Sequence, residues 1–122
     1  MASRVYRNKK IGEFIRSGEV ACCITGSTHA VVNHHLIGYG YSGMGTKAPD
    51  FLQMALRHDL HDELHRHGDK TFEKKYGRTQ KSMVAETMGY LHAMDVIDLN
   101  VIDLEHGTPD WLTEEMEKLT HE

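Results

Sequence analysis

Two pairs of histidines in this sequence have the residue type and spacing to bind a metal ion. His61 and His65 lie four residues apart in RHDLHDELHRH, residues 57–67, whose leucine spacing predicts an amphipathic helix. Side chains at that spacing lie one turn apart on one face, about 5–6 Å between Cβ atoms, so two imidazoles can share one cation. Taken alone, the pair is more typical of a solvated helix face than of a metal site.

A second pair, His34-His35, favours the metal site. It lies in AVVNHHLI, residues 30–37, which predicts a strand, and the glycine-rich segment GYGYSGMGTKAPD, residues 38–50, follows it. Adjacent side chains on a strand point to opposite faces, so both histidines can face one site only if the strand ends or twists there. The loop provides that irregularity, and its length favours a functional role.

The hydrophobic pattern of the rest of the chain predicts an α+β fold. Apolar residues recur at helical spacing near both ends, and short β-prone runs lie between them. We expect helices over 7–17, 57–67, 69–76, 79–96 and about 108–119, strands over 30–37 and 51–56, and a further β-prone segment over 20–25.

Composition and cysteine content indicate a globular protein in a reducing compartment. Hydrophobic residues make up 39% and charged residues 26% of the chain, which argues against global disorder. No apolar run approaches the roughly 20 residues that span a bilayer, and the first residues lack the apolar stretch of a secretory signal. The two cysteines, Cys22 and Cys23, are adjacent, so a disulfide between them would be strained. We expect a cytoplasmic protein with no membrane partner.

Charge is distributed unevenly along the chain. Residues 1–94 carry 13 Lys and Arg against 9 Asp and Glu, a net of +4, whereas residues 95–122 carry one Lys against nine acidic residues, a net of −8. A mildly basic body with an acidic tail is compatible with binding a phosphate backbone, although the whole chain has a net charge of −4.

The histidine pattern resembles that of the HNH endonucleases, also called the His-Me finger or ββα-metal group, whose site is a β-hairpin followed by a helix. In that family the tandem pair supplies a metal ligand and then the general base, and the helix supplies further ligands as His-x3-His. The resemblance implies His34 as a metal ligand, His35 as the catalytic base, and His61 and His65 as helical ligands. It also implies a ββα-metal core with a short N-terminal helix and C-terminal helices.

Residues 22–65 resemble most closely the HNH-like proteins of phages and prophages related to the recombination-enhancement nuclease Ref. Their pattern combines Cys-x2-Cys-Gly, His-His-x-x-Gly, a GxGxxGMGTK loop and a Cys-x2-His-His-x3-His helix. The zinc-knuckle positions of that pattern fall here on Cys22, Thr25, Arg57 and Leu60. Because a structural zinc needs four nitrogen or sulfur ligands, we expect none here.

The loop residues have less specific roles in this comparison. No Asn lies between the tandem pair and the helix, and Asp50 lies near the place of the motif's middle Asn. We interpret Asp50 as a structural residue that fixes the loop, together with Gly43 and Gly45. Lys47 has two equal interpretations, as a phosphate contact in the substrate-binding site or as a solvated loop lysine.

The resemblance implies a metal-dependent DNA endonuclease acting in phage DNA recombination or processing. One divalent ion, Mg, Mn, Ni or Zn, would polarise a phosphate oxygen and stabilise the leaving 3′ oxygen. Histidine suits the role of base because its ordinary pKa, about 6.5, lies near working pH. We assign the nuclease domain to residues 1–96.

Two alternatives remain open at this stage. The first is a degenerate, non-catalytic HNH scaffold that binds nucleic acid or protein, and the second is a zinc hydrolase of a small molecule. We interpret residues 97–122 as an acidic helical extension that limits non-specific DNA binding or docks on a protein partner. The sequence leaves the metal, the form of the nucleic acid and the oligomeric state undecided.

Overall fold

The structure of the 122-residue chain is a computed structural model that describes residues 5–41 and 47–120. Within these ranges it is an α+β fold, as expected, and none of its helices is long and apolar enough to cross a bilayer. Its elements are α1 (Lys9–Ile15), β1 (Val31–His35), β2 (Gln53–Arg57), α2 (His58–His67), α3 (Asp69–Tyr76), α4 (Gln80–Ala93), α5 (Leu99–His106) and α6 (Asp110–Thr120).

The two strands form an antiparallel hairpin that leads directly into α2. The register pairs His34 with Met54 and His35 with Gln53. In α2 the buried residues are Leu60 and Leu64, one turn apart, and α2 packs against both strands. Because the leucines fix the buried face of α2, they also fix where its histidines lie relative to β1.

The core lies between the hairpin, α1 and α4. Helix α4 packs against β2 on one side and against α6 on another. One buried polar contact joins α4 to the sheet: the backbone N–H of Ala55 donates to Thr87 Oγ1 at 3.1 Å. The apolar core is built mainly from Ile11, Ile15, Leu36, Leu52, Met54, Leu56, Leu64, Phe72, Met83, Met88 and Leu91.

The β-prone segment over residues 20–25 contains a turn and no strand. The backbone N–H of Gly26 donates to the Cys22 carbonyl at 2.9 Å, and the N–H of Cys22 donates to the Ser27 carbonyl at 2.8 Å. These local bonds use backbone groups that a strand would offer to a neighbour. The segment is joined to the sheet by the N–H of Cys23, which donates to the Ala55 carbonyl at 3.0 Å.

Helix α5 was not among the expected elements. Its only buried residue is Ile102, so it has no amphipathic stripe for the pattern to reveal. Both ends nevertheless carry ordinary signals: the Asp98 side chain accepts from the N–H groups of Asn100 and Val101, and Gly107 ends the helix with a positive φ of 76°.

The acidic C-terminal segment packs on the body of the protein. Leu112 of α6 is buried, and Trp111 Nε1 donates to Tyr41 Oη at 2.9 Å. The His106 ring lies edge-on to Tyr6 with ring centroids 5.0 Å apart. Deleting this segment would therefore remove packing as well as charge. The division at residues 96 and 97 remains a prediction.

Candidate metal centre

Three of the four histidines singled out in the sequence lie together. His34 comes from β1, and His61 and His65 come from α2. One ring nitrogen of each lies within 4.8 Å of those of the other two, and each pair of ring centroids is 4.7 Å apart. The Nδ1 atoms of His34 and His61 are 2.7 Å apart, so one of them carries the proton between them. The three side chains are close enough to bind one metal ion.

Burial lowers the pKa of two histidines of this cluster, His34 and His61. His34 is fully buried, and its Nε2 has no hydrogen-bond partner in the described part of the chain, which is rare for a buried polar atom. Burial, with smaller contributions from His61, His65 and His35, lowers the pKa of His34 to about 3. Burial and the neighbouring His65 also lower the pKa of His61. Neutral imidazole is the form that binds metals.

The low pKa of His34 predicts a pH-dependent stability for the metal-free protein. The unfolded chain takes up a proton at this histidine near pH 6.5, whereas the folded chain does so only near pH 3. The free energy of unfolding should therefore fall as the pH is lowered from 6.5 to 3, by up to about 1.4 kcal/mol per pH unit for this one group. Urea titrations across that range should show a shallower fall for His34→Gln. Parallel curves for both proteins would contradict the prediction.

His35 lies outside this cluster but faces the same cleft. His35, His61, His65 and Lys47 all line a cleft of about 500 Å³. The Nε2 of His35 is 2.8 Å from Asp50 Oδ1. Because an ionised carboxylate can only accept, Nε2 carries the proton and Nδ1 of the neutral ring keeps its lone pair. Burial lowers the pKa of His35, and the hydrogen bond to Asp50 acts in the opposite direction.

Asp50 joins the end of the glycine-rich loop to the N-terminal segment. Its Oδ2 accepts from the backbone N–H of Asn8 at 2.7 Å, and its Oδ1 accepts from Arg7 Nη1 at 3.1 Å. The same guanidinium donates to the backbone carbonyls of Ala48 and Lys47. The sequence does not predict the hydrogen bond from His35 to Asp50, since the two residues are 15 positions apart and come together only when β1 pairs with β2, whose register sets Gln53 opposite His35.

A polar network extends from Asp50 to Arg16, and the sequence does not predict it. Asn33 Nδ2 donates to Gln53 Oε1 at 2.7 Å, and Gln53 Nε2 donates to the Asp50 carbonyl at 2.9 Å. Arg16 Nη1 donates to Asn33 Oδ1 at 2.7 Å. Alternation along β1 could have revealed Asn33, because it lies two residues before His35 and therefore shares its face.

The remaining candidate residues lie at the edge of this site or outside it. Lys47 is exposed, and its ammonium has no hydrogen-bond partner in the part of the chain that the structure describes. Gly43 and Gly45 lie outside the described residues. His58, one turn before the cluster on α2, is exposed and lies 3.6 Å from the Asp62 carboxylate.

At the zinc-knuckle positions, the Cys22 thiol accepts hydrogen bonds from a surrounding turn. Cys22 Sγ accepts from the backbone N–H groups of Thr25 and Arg57, at 3.5 and 3.3 Å. Burial tends to raise the pKa of this thiol, but the hydrogen bonds outweigh it and the pKa is lowered. Arg57 forms two hydrogen bonds to Asp59, and Leu60 is buried as a core residue. Among these four positions, only Cys22 has a side chain of the kind that ligates structural zinc. The absence of structural zinc stays a prediction.

The fold and site define a small α+β protein with a three-histidine cluster beside a histidine–aspartate pair. The chain belongs to the family described as "Protein of unknown function (DUF968)", whose model matches residues 2–95. It is also similar to the uncharacterized protein YdfU of Escherichia coli (strain K12), with 39% identity over 74 residues that cover 61% of this chain and 20% of that protein. The aligned part is thus about a fifth of the length of that relative. No solved structure matches this chain.

Proposed function

We propose that this chain is a metal-dependent nuclease of the HNH, or ββα-metal, type that hydrolyses phosphodiester bonds in DNA. One observation carries the proposal: two members of the histidine cluster, His61 and His65, line the same cleft as His35, whose ring is hydrogen-bonded to Asp50. A hairpin followed directly by a helix is also the arrangement that the sequence resemblance implies. A role in phage DNA recombination or processing is part of the same proposal.

The residues of the cluster fit a divalent transition metal. His34, His61 and His65 offer three imidazoles, and the buried Nε2 of His34 lacks a partner in the described residues. Imidazole nitrogen suits zinc, nickel or another transition ion, whereas magnesium prefers oxygen ligands. We therefore rank zinc and nickel above manganese and magnesium as the bound ion. When bound, such an ion supplies positive charge that polarises a phosphate oxygen and stabilises the leaving oxygen.

His35 acts as the general base in this proposal. Its Nδ1 takes a proton from the attacking water as the water oxygen bonds to phosphorus and the bond from phosphorus to the 3′ oxygen breaks. Asp50 accepts a hydrogen bond from the Nε2–H group, so it fixes the orientation and tautomer of the ring and stabilises the imidazolium that forms. Lys47 lies on the same cleft, where its ammonium can contact a phosphate oxygen.

The main alternative is a scaffold that binds without cutting. That function would be favoured if His35 could not approach a phosphate held at the histidine cluster. The shared cleft supports catalysis, since it brings His35, His61 and His65 to one space of about 500 Å³.

Plasmid nicking tests the proposed function. Metal-stripped protein is incubated with supercoiled plasmid and Mg²⁺, Mn²⁺, Ni²⁺ or Zn²⁺ in turn. We expect nicked and linear DNA with at least one of the transition ions and much less with His35→Ala. Intact plasmid with every metal, from a folded protein that binds DNA, would favour the non-catalytic scaffold.

A further inference from the structure

We propose that Lys9 of α1 and Arg16, the residue that follows this helix, form a subsite for the phosphates of a nucleic-acid strand that flank the phosphate at the histidine cluster. The assignment of that strand as substrate rests on the proposed function. The two cations that define this subsite, Lys9 and Arg16, are not members of the histidine cluster.

Arg16 lies where two clefts meet. It lines the cleft that contains His61 and His65, and also an adjacent cleft of about 270 Å³ that contains Lys9. His35 lines both clefts as well. The two spaces therefore form one trough that runs from the histidine cluster past the base to α1.

A glycine allows Arg16 to lie in this position. A Cβ atom added at Gly12 would lie 2.9 Å from Arg16 Nη1 and 3.0 Å from Asn33 Nδ2, so these side-chain ends would have to shift to make room for it. Arg16 is oriented by its bond from Nη1 to Asn33 Oδ1 at 2.7 Å. A guanidinium has five N–H donors in a rigid fork, so donors remain for a phosphate after that bond is made.

The charges along the trough are not all available to a ligand. Arg7 donates to the carbonyls of Lys47 and Ala48 and to the Asp50 carboxylate, so its guanidinium is committed to the loop. Asp50 is in turn bonded by Arg7, His35 and the Asn8 backbone. These two opposite charges therefore largely compensate one another.

The remaining charges leave an excess of cations. Lys9, Arg16 and Lys47 line the trough and form no ion pair within the described ranges, and they face one further acid, Glu13. Lys9 and Arg16 are seven residues apart, which is about 10 Å along a helix axis. A nucleic-acid strand carries a phosphate about every 3.4 Å of duplex axis, so the two cations would contact different phosphates. The trough therefore fits a polynucleotide and not a mononucleotide.

Fluorescence anisotropy with a labelled DNA duplex tests this surface. The full-length protein is used in EDTA, which prevents cleavage, after circular dichroism has shown each variant to be folded. Lys9→Gln and Arg16→Gln should each raise Kd roughly threefold to tenfold at low salt and reduce the salt slope of log K by about 0.9. Glu13→Gln removes the opposing charge and should lower Kd.

Lys10→Gln is the matched control, because Lys10 neighbours Lys9 on α1 but lines neither cleft. Its Kd and salt slope should stay close to those of the unmodified chain. Gly12→Ala should weaken binding less than Arg16→Gln does, since the new methyl group shifts the guanidinium but leaves its charge in place.

The outcomes separate this inference from the proposed function. If Lys9→Gln and Arg16→Gln bind DNA no differently from Lys10→Gln, the subsite is wrong, even if the protein cuts plasmid. If they lose affinity and salt dependence as expected but no metal supports cleavage, the subsite stands and the nuclease proposal fails.

Discussion

Replacing His35 with alanine should lower the rate of phosphodiester cleavage by about 10²–10⁴ and leave metal affinity nearly unchanged. The reason is the separation of roles in the cleft. His35 is not one of the three clustered histidines, and its Nε2 is bonded to Asp50. Removing it takes away the base for the attacking water but no metal ligand.

Single-turnover cleavage of a labelled oligonucleotide at saturating metal measures this effect. Asp50→Asn is the comparison variant, for which a smaller loss of rate is expected. Its amide oxygen can still accept a hydrogen bond from the Nε2–H group, but it has no charge to stabilise an imidazolium. His34→Ala should impair both metal binding and cleavage. If His35→Ala weakens metal binding and His34→Ala does not, the roles within the tandem pair are reversed.

Replacing His61 with alanine should lower metal affinity more than the 10–100-fold that loss of an outer-shell partner costs, because three ligands become two. Isothermal titration calorimetry with Zn²⁺ or Ni²⁺ gives the affinity directly. His58→Ala is the matched control on the same helix, since the His58 ring is exposed and its centroid lies 6.3 Å from that of His61. Equal affinities for these two variants would rule out His61 as a ligand.

The helical half of the histidine cluster could be predicted from the sequence because its spacing is local. A His-x3-His pair needs only a helix, and the leucines of α2 predict that helix within one residue of its observed start. The choice of His34 as the partner of that pair came from the resemblance to the HNH endonucleases. The structure brings His34, His61 and His65 together as expected.

The parts that could not be predicted depend on contacts between distant segments. The pairing of His35 with Asp50 requires the register of β1 against β2, which hydrophobic periodicity does not encode. Arg16 reaches the cleft through a bond to Asn33, 17 residues away, and through the close approach that Gly12 permits. Both depend on how α1 docks on β1, and the helix pattern gives the buried face of α1 but not its partner.

The central claim, that the histidine cluster holds the ion used for cleavage, is tested most directly by titrating metal into stripped protein during plasmid nicking. Nicking should rise in proportion to added metal, reach a plateau near one equivalent per chain, and be lost in His61→Ala at the same metal concentrations. One tightly bound ion per chain with no nicking at any ratio, or equal nicking by the His61→Ala protein, would contradict it.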